Sequence, residues 1–358
     1  MMTKPILVLA WGLNRRWYYS HSTDIEESVN TDACRAAGID MYFAGPAHHN
    51  TVSYSKSLEE MYERMGGKPD IIFISGIWRM HYLRRDAKSP ERKKFLDYCK
   101  QTHEDMERYE TIEQEFKKDK DIKIVRIDHD FWHSGSPREI KPKEGKAYRI
   151  VSPYATPAYK PLVQKFFVNA HLYPLPFSVK DSFTNNTTFP PKEYDLMIPG
   201  AGGIKMDAKY PFRVSTRIAT QDIGYKTLPQ GTRLTQLDYF MAMRKTKILV
   251  YCGGYWGIMF KKIVEMLASG SFIIAPTGIK GFKEVGLIDG VHLVESSIEG
   301  INDTIQYYLD HEKEREEIAA NGHEFFLNNM TSTHITNKYF VPLVKEIYNE
   351  QYARIPGE

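Results

Sequence analysis

The chain has 358 residues, too many for one ordinary domain and comfortable for two. Hydrophobic residues make up 42% and charged residues 26%, a balance that builds cores and excludes a disordered chain. The net charge is only +3, with acids and bases interleaved as at Glu312 to Glu317, which argues against the concentrated basic stripe of a strong nucleic-acid binder.

In chain order, the first half repeats a strand-then-helix rhythm. Ile6 to Ala10 reads as a buried strand and Ser22 to Ala37 as a helix. Asp40 to Ala44 is a strand stopped by Gly45-Pro46, and Ser55 to Met65 is a helix closed by Gly66-Gly67. Pro69 to Ser75 is a third strand, and Pro90 to Lys118 holds one or two helices. Ile122 to Ile127 is the next strand, followed by Asp128-His129-Asp130. Tyr148 to Val151 adds another, and Tyr159 to Phe167 a helix or turn before a last short strand. Apolar strands separated by helices predict a mostly parallel sheet covered on both faces.

The rhythm breaks at Tyr173-Pro174-Leu175-Pro176, a polar stretch from Ser182 to Thr188, and Pro190-Pro191. This marks a domain boundary, dividing the chain into 1–175, 190–335 and a final helix, 336–358, that crosses back to the first domain. The second unit begins at Tyr194 to Gly200. Lys247 to Cys252 is a strand, then come a glycine-rich loop, a helix from Phe260 to Ala268, and a strand at Phe272. Val291 to Val294 reads as a short strand, and Asn302 to His311 and Glu314 to Phe326 as helices. Thr333 to Tyr352 reads as one long helix with Tyr339, Phe340, Leu343, Val344, Ile347 and Tyr348 on one side. No apolar run approaches the length of a membrane span. The run Pro5 to Gly12 is too short for a signal peptide's apolar region with its flanks, and Cys34, Cys99 and Cys252 show neither metal spacing nor a disulfide framework, so the expected location is cytoplasmic.

Two such units would enclose a cleft, with ligands outside the carboxyl ends of the strands. The densest candidate lies there. Phe260, Ile263, Val264 and Leu267 define a buried stripe, which sets Lys261, Lys262 and Glu265 on the polar side of the helix. The loop before it, Gly253-Gly254-Tyr255-Trp256-Gly257, would let a backbone approach an anion closely. A helix start favours negative charge, so a diphosphate fits there, and the two oxygens of Glu265 suit the vicinal hydroxyls of a ribose. The same residues also fit a plain surface helix with a local Lys/Glu pair. Gly200, Gly202 and Gly203 after the first strand of the second unit, and Gly12 after the first strand of the chain, read equally as phosphate loops or tight turns. Asp128, His129 and Asp130 gather two carboxylates and an imidazole after a buried strand, which suits a general base, an ion site, or a capped and exposed turn.

Lys262, Glu265, Ala268-Ser269-Gly270 and Phe272-Ile273-Ile274 match a basic residue three positions before a glutamate, a small-x-Gly turn and an apolar strand. With the tail Leu309-Asp310, Glu314-Arg315, Ala319 to Gly322 and Phe325, they resemble the C-terminal half of GT-B glycosyltransferases of the family 1 and 4 type, nearest the spore-coat-maturation group. The resemblance implies an α/β fold of two Rossmann-like domains facing a cleft. It implies a nucleoside-diphosphate sugar donor (UDP or GDP) on the second domain, with Glu265 on its ribose and Lys262 near its phosphates. It also implies a glycan or other hydroxyl acceptor on the first domain, near Gly12 and residues 128 to 130, and no bound metal or cofactor for chemistry. Retaining members often carry a second glutamate eight residues before the ribose one. That position is Gly257 here, so stereochemistry stays open, with a lean to retention. The rival readings are a nucleotide-sugar epimerase of the same shape, a sugar- or nucleotide-binding protein without catalysis, and a DNA-modifying glucosyltransferase. The small net charge speaks against the last, and Arg15-Arg16 and Arg84-Arg85 speak for it.

Overall fold

The computed structural model describes residues 4–12, 25–45, 48, 50–75, 106–119, 121–127, 148–153, 155–156, 159–161, 164, 170–181, 189–199, 212, 215–216, 219–220, 224–228, 234–254 and 257–349. The chain forms two compact units, Met1–Pro176 with Ile335–Glu358, and Phe177–His334.

The first unit contains β1 (Ile6–Trp11), α1 (Ile25–Ser28), α2 (Thr31–Ala36), β2 (Ile39–Ala44), α3 (Leu58–Met65), β3 (Ile71–Ser75), α4 (Met106–Lys118), β4 (Lys123–Ile127), β5 (Tyr148–Ser152) and β6 (Ala170–Pro174). The six strands are parallel, in the order β2-β1-β3-β4-β5-β6. Alternation sends successive side chains to opposite faces. Val8, Ala10, Ile71 and Phe73 enter one core, while Leu9, Trp11, Ile72 and Ile74 enter the other with Tyr109 and Phe116 of α4. Buried Trp11 packs edge-on against Tyr109 and Phe116, and its Nε1 donates to the Glu113 carboxylate at 3.2 Å, which satisfies its polar atom.

The single helix expected from Ser22 to Ala37 is two helices, with 22–24 outside the described residues. Asn30 takes an extended conformation (ψ 113°), and its Oδ1 accepts from the amides of Asp32 and Ala33, both at 3.0 Å. A short amide side chain prefers that capping role to continuing a helix.

The second unit contains β7 (Tyr194–Met197), α5 (Gln236–Arg244), β8 (Thr246–Val250), α6 (Lys261–Ser269), β9 (Phe272–Pro276), α7 (Phe282–Val285), β10 (Val294–Ser296), α8 (Ile301–Asp310) and α9 (Glu312–Asn329). Its strands are parallel in the order β10-β9-β8-β7, and Leu196, Ile248, Val250, Phe272 and Ile274 bury against Ile301, Ile305 and Ile318. β10 begins where Val291 to Val294 was expected to end. Val291 lies in a turn instead, where the amides of Val291 and His292 both donate to the Ile288 carbonyl, at 3.2 and 3.0 Å. The two ends of this unit are tied together by Asp181, whose Oδ1 accepts from Ser332 Oγ at 3.0 Å and from the Thr333 amide at 3.3 Å.

The chain then runs through α10 (Ser332–Ile335), a π-helical turn (Thr336–Phe340) and α11 (Val341–Asn349). It buries Phe340, Leu343, Val344 and Ile347 in the first unit's core with Val8, Phe73 and Val125. The long final helix is therefore interrupted. Pro342 has no N–H to give and its ring crowds the carbonyl four residues back, and a π turn, in which Val341 N–H reaches the Thr336 carbonyl, accommodates that. Tyr348, expected on the buried side, is 43% exposed and lies against the Lys123 ammonium, whose Nζ donates to the Ile347 carbonyl at 2.7 Å.

Candidate functional site

Leu196 of β7 pairs with Ile248 on one side and bridges to Thr227 on the other. Thr227 lies between β7 and β8 in sequence, so the sheet order reverses between these two strands. A crevice opens outside the carboxyl ends at such a reversal, and this is where parallel α/β sheets take their ligands. β8 leads there into Tyr251 to Gly254, and then into α6.

The loop is set by close packing. A Cβ on Gly253 (φ +66) would stand 2.5 Å from Ile279 Cδ1, and one on Gly257 (φ +70) would stand 2.8 Å from the Phe212 ring. Four of the described amides here are engaged within the protein. Gly254 donates to the Ile258 carbonyl at 2.8 Å, Gly257 to Gly254 at 3.2 Å, Met259 to Lys280 at 2.9 Å, and Phe260 to the Tyr251 hydroxyl at 2.9 Å. The described residues on either side of 255–256 are thus held by the protein itself. Position 257, eight residues before Glu265, combines a left-handed backbone with an aromatic wall. Its glycine is a requirement of this backbone.

Helix α6 departs from expectation. Its lysines do not lie on an exposed polar face: Lys261 is 7% exposed and Lys262 6%, and only Glu265 among the nine residues is not buried. The reason is that α5 and α9 both pack against it, so it is covered on sides that the helical stripe left polar. Phe260 occupies the N-cap without a side-chain cap, and the first turn carries two lysines and no acid. Cations at the positive end of a helix dipole cost stability, and that end prefers an anion. Gly270 (φ +68) closes the helix under the ring of Phe189.

In the first turn of α6, the Lys262 ammonium is paired with Glu265 Oε2, one turn on, and lies 4.6 Å from the centre of the Tyr239 ring of α5. Burial opposes the ammonium charge, but the Glu265 carboxylate and Tyr239 outweigh it and raise the lysine pKa above its ordinary value. Tyr239, Phe212 and Tyr251 are the contributions that sequence reading missed. Tyr251 was legible only as a strand residue, and no spacing rule links Tyr239 or Phe212 to the loop.

Of the other candidates, Gly12 gives its N–H to the Ala44 carbonyl at 3.0 Å, and its own carbonyl lies 2.3 Å from where a Cβ on Gly45 (φ +125) would stand. Gly12 thus continues the β1–β2 ladder and packs closely against Gly45, and the residues that follow it lie outside the described residues. Gly200, Gly202, Gly203, Tyr255, Trp256, Asp128, His129 and Asp130 lie outside the described residues. Among the described residues, no group of three His, Cys, Asp or Glu side chains could hold a metal ion, and no helix is long and apolar enough to cross a membrane.

The tail motif is architectural. Buried Arg315 donates to the Tyr308 and Leu309 carbonyls at 2.7 and 3.3 Å, closing the end of α8. Glu314 accepts from the hydroxyls of Tyr307 and Tyr308 at 3.0 and 3.3 Å. A Cβ on Gly322 would meet the His292 carbonyl oxygen at 2.5 Å.

A family model described as "Glycosyl transferase-like" matches residues 204–340, less than half of the chain. No curated protein matches. Similar solved structures include a glycosyltransferase from Rickettsia africae ESF-5, 10% identical with a TM-score of 0.52 over 98% of this chain and 100% of that one. Sucrose-phosphate synthase from Thermosynechococcus elongatus is 9% identical with a TM-score of 0.55 over 96% and 99%. An α-glucosyltransferase solved with UDP-glucose and DNA containing an abasic site is 10% identical with a TM-score of 0.51 over 95% and 98%. At such identities the likeness is one of fold. Two Rossmann-like units, with a C-terminal helix returning to the first, give this chain the GT-B fold.

Proposed function

We propose that the protein is a glycosyltransferase that moves a sugar from a nucleoside-diphosphate sugar to a hydroxyl acceptor, a glycan or glycosylated molecule. The carrying observation is the start of α6: an uncapped helix with two first-turn lysines and no acid, at the strand-order reversal, with Glu265 one turn on. In this reading the diphosphate lies against the helix start, where the dipole offsets its charge, and Glu265 receives the ribose hydroxyls. As the donor bond breaks, negative charge grows on the departing diphosphate, and a fixed positive field there lowers the barrier. The second unit takes the donor and the first takes the acceptor, with Asp128, His129 and Asp130 as candidates to orient or deprotonate it. The family match over 204–340 supports the reading because that span contains α6 and its neighbours.

Retention of configuration is the finer proposal, read from the anomeric proton of the product by NMR. The glycine at 257 then means that the donor sugar is handled without the second glutamate.

A thermal-shift series with UDP, GDP and their sugars tests the central reading. Stabilisation by one diphosphate nucleotide, lost in Glu265→Ala, is expected. No response to any of them removes the assignment.

A further inference from the structure

The Lys262 charge is already answered inside the protein. Its ammonium is buried, is paired with Glu265 Oε2 three residues on, and rests against the Tyr239 face at 4.6 Å. A lysine serving as a flexible counter-charge to a diphosphate would keep its head toward the ligand and its neighbours neutral. Here the side chain is held from two sides, by α6 itself and by α5. A carboxylate on a helix surface samples several rotamers, and an ion pair at i, i+3 backed by an aromatic face removes most of them. Pre-ordering a ligand-binding group lowers the entropy cost of binding.

We infer that Lys262 is a positioning residue. With Tyr239 it fixes the Glu265 carboxylate for the ribose hydroxyls, and it is not itself a phosphate ligand. This rests on the donor reading above and departs from one implication of the family resemblance, the placing of Lys262 near the phosphates. The consequence is a site that selects ribonucleotides through a preset carboxylate, while the helix start carries the diphosphate.

The test compares ligands with and without phosphates and with and without hydroxyls. UDP, uridine, GDP, guanosine and the 2′,3′-dideoxynucleoside diphosphates are titrated against wild type, Lys262→Met, Lys262→Arg, Glu265→Gln and the double variant Lys262→Met/Glu265→Gln. Lys262→Met should weaken the preferred nucleoside and its diphosphate by the same factor, about tenfold, as expected for a disturbed hydrogen bond to a charged group. The dideoxy compound should be unaffected, and Lys262→Arg should restore most of the loss. The double variant should bind no more weakly than Glu265→Gln alone, because Lys262 acts only through Glu265. A loss confined to the diphosphates, or losses that add in the double variant, overturns the inference. Should Lys262→Met leave the half-buried Glu265 without its ion-pair partner and fail to fold, the double variant, which removes both charges, carries the comparison. Wild type that binds none of the compounds removes the donor reading, and this inference with it. Normal wild-type binding that Glu265→Gln abolishes, with a purely phosphate-dependent loss in Lys262→Met, removes the inference alone.

Discussion

Helices α3 and α6 are almost equal in length, and both stop on a left-handed glycine, Gly66 (φ 79°) and Gly270 (φ 68°). They begin in opposite ways. In α3, Ser57 accepts from the Glu60 amide at 3.2 Å and Glu60 reaches back to the Lys56 amide at 2.6 Å, with two acids in the first turn and Arg64 in the last. Every end effect there favours the helix. In α6 there is no side-chain cap, the first-turn charges have the wrong sign, and the helix persists because α5, α9 and β9 bury it. A helix held by tertiary packing can do without a capping side chain and turn its start toward a ligand. A helix held by its own caps has nothing to give. Local rules kept in one place and broken in another are how a functional surface shows itself.

The largest effect that would break or sharpen this contrast is at the two closing glycines. Gly66→Ala meets open space and should cost only the left-handed backbone, about 1 kcal/mol. Gly270→Ala adds a Cβ that would lie 2.3 Å from the Phe189 ring, and should cost about 3 kcal/mol in chemical denaturation. Equal costs would mean that Phe189 yields freely and the end of α6 is no tighter than that of α3. Next, Glu265→Ala should reduce nucleotide affinity by roughly a hundredfold, the loss of hydrogen bonds to a charged group, while Glu60→Ala in α3 leaves it unchanged. Calorimetric titration distinguishes the two. Ser57→Ala should then cost about 1 kcal/mol of stability and no binding, whereas α6 has no cap to delete.

The smallest effect is a pH dependence behind α6, where Lys192 Nζ donates to Ser271 Oγ and the Arg244 carbonyl, both at 2.9 Å. Burial, joined by Arg315 and Arg244 against the opposing pull of Glu316, holds its pKa down to about 8. Between about pH 8 and the ordinary lysine value of 10.5, the unfolded chain therefore binds more protons than the folded one. Stability from this group rises with pH across that window. The melting difference between wild type and Lys192→Met should move in favour of wild type from pH 8 to 10, and a flat difference would show that the ammonium keeps its proton in the fold.

Much of the fold was legible because it is written locally. Buried strands such as Ile71–Ser75 and Phe272–Pro276 announce themselves as short apolar runs, and Gly66 and Gly270 announce helix ends. What escaped depends on neighbours distant in sequence. The stripe of α6 gave Lys261 and Lys262 to solvent because no local pattern shows that α5 and α9 cover them. Tyr348 was placed inside by periodicity, but it sits at the edge of the buried face near the end of α11, where its ring lies against the distant Lys123 ammonium instead. The site was legible as residue types near Glu265. Its geometry was not, since Tyr239 and Phe212 enter only through the packed tertiary structure.

The account stands on where a nucleoside diphosphate seats itself. A crystal structure of the full chain soaked with UDP-glucose or a GDP-sugar measures this directly. The account predicts phosphates against the start of α6 and ribose hydroxyls within hydrogen-bond reach of Glu265. A nucleotide bound elsewhere, with the Glu265 carboxylate turned away from any sugar, would contradict it.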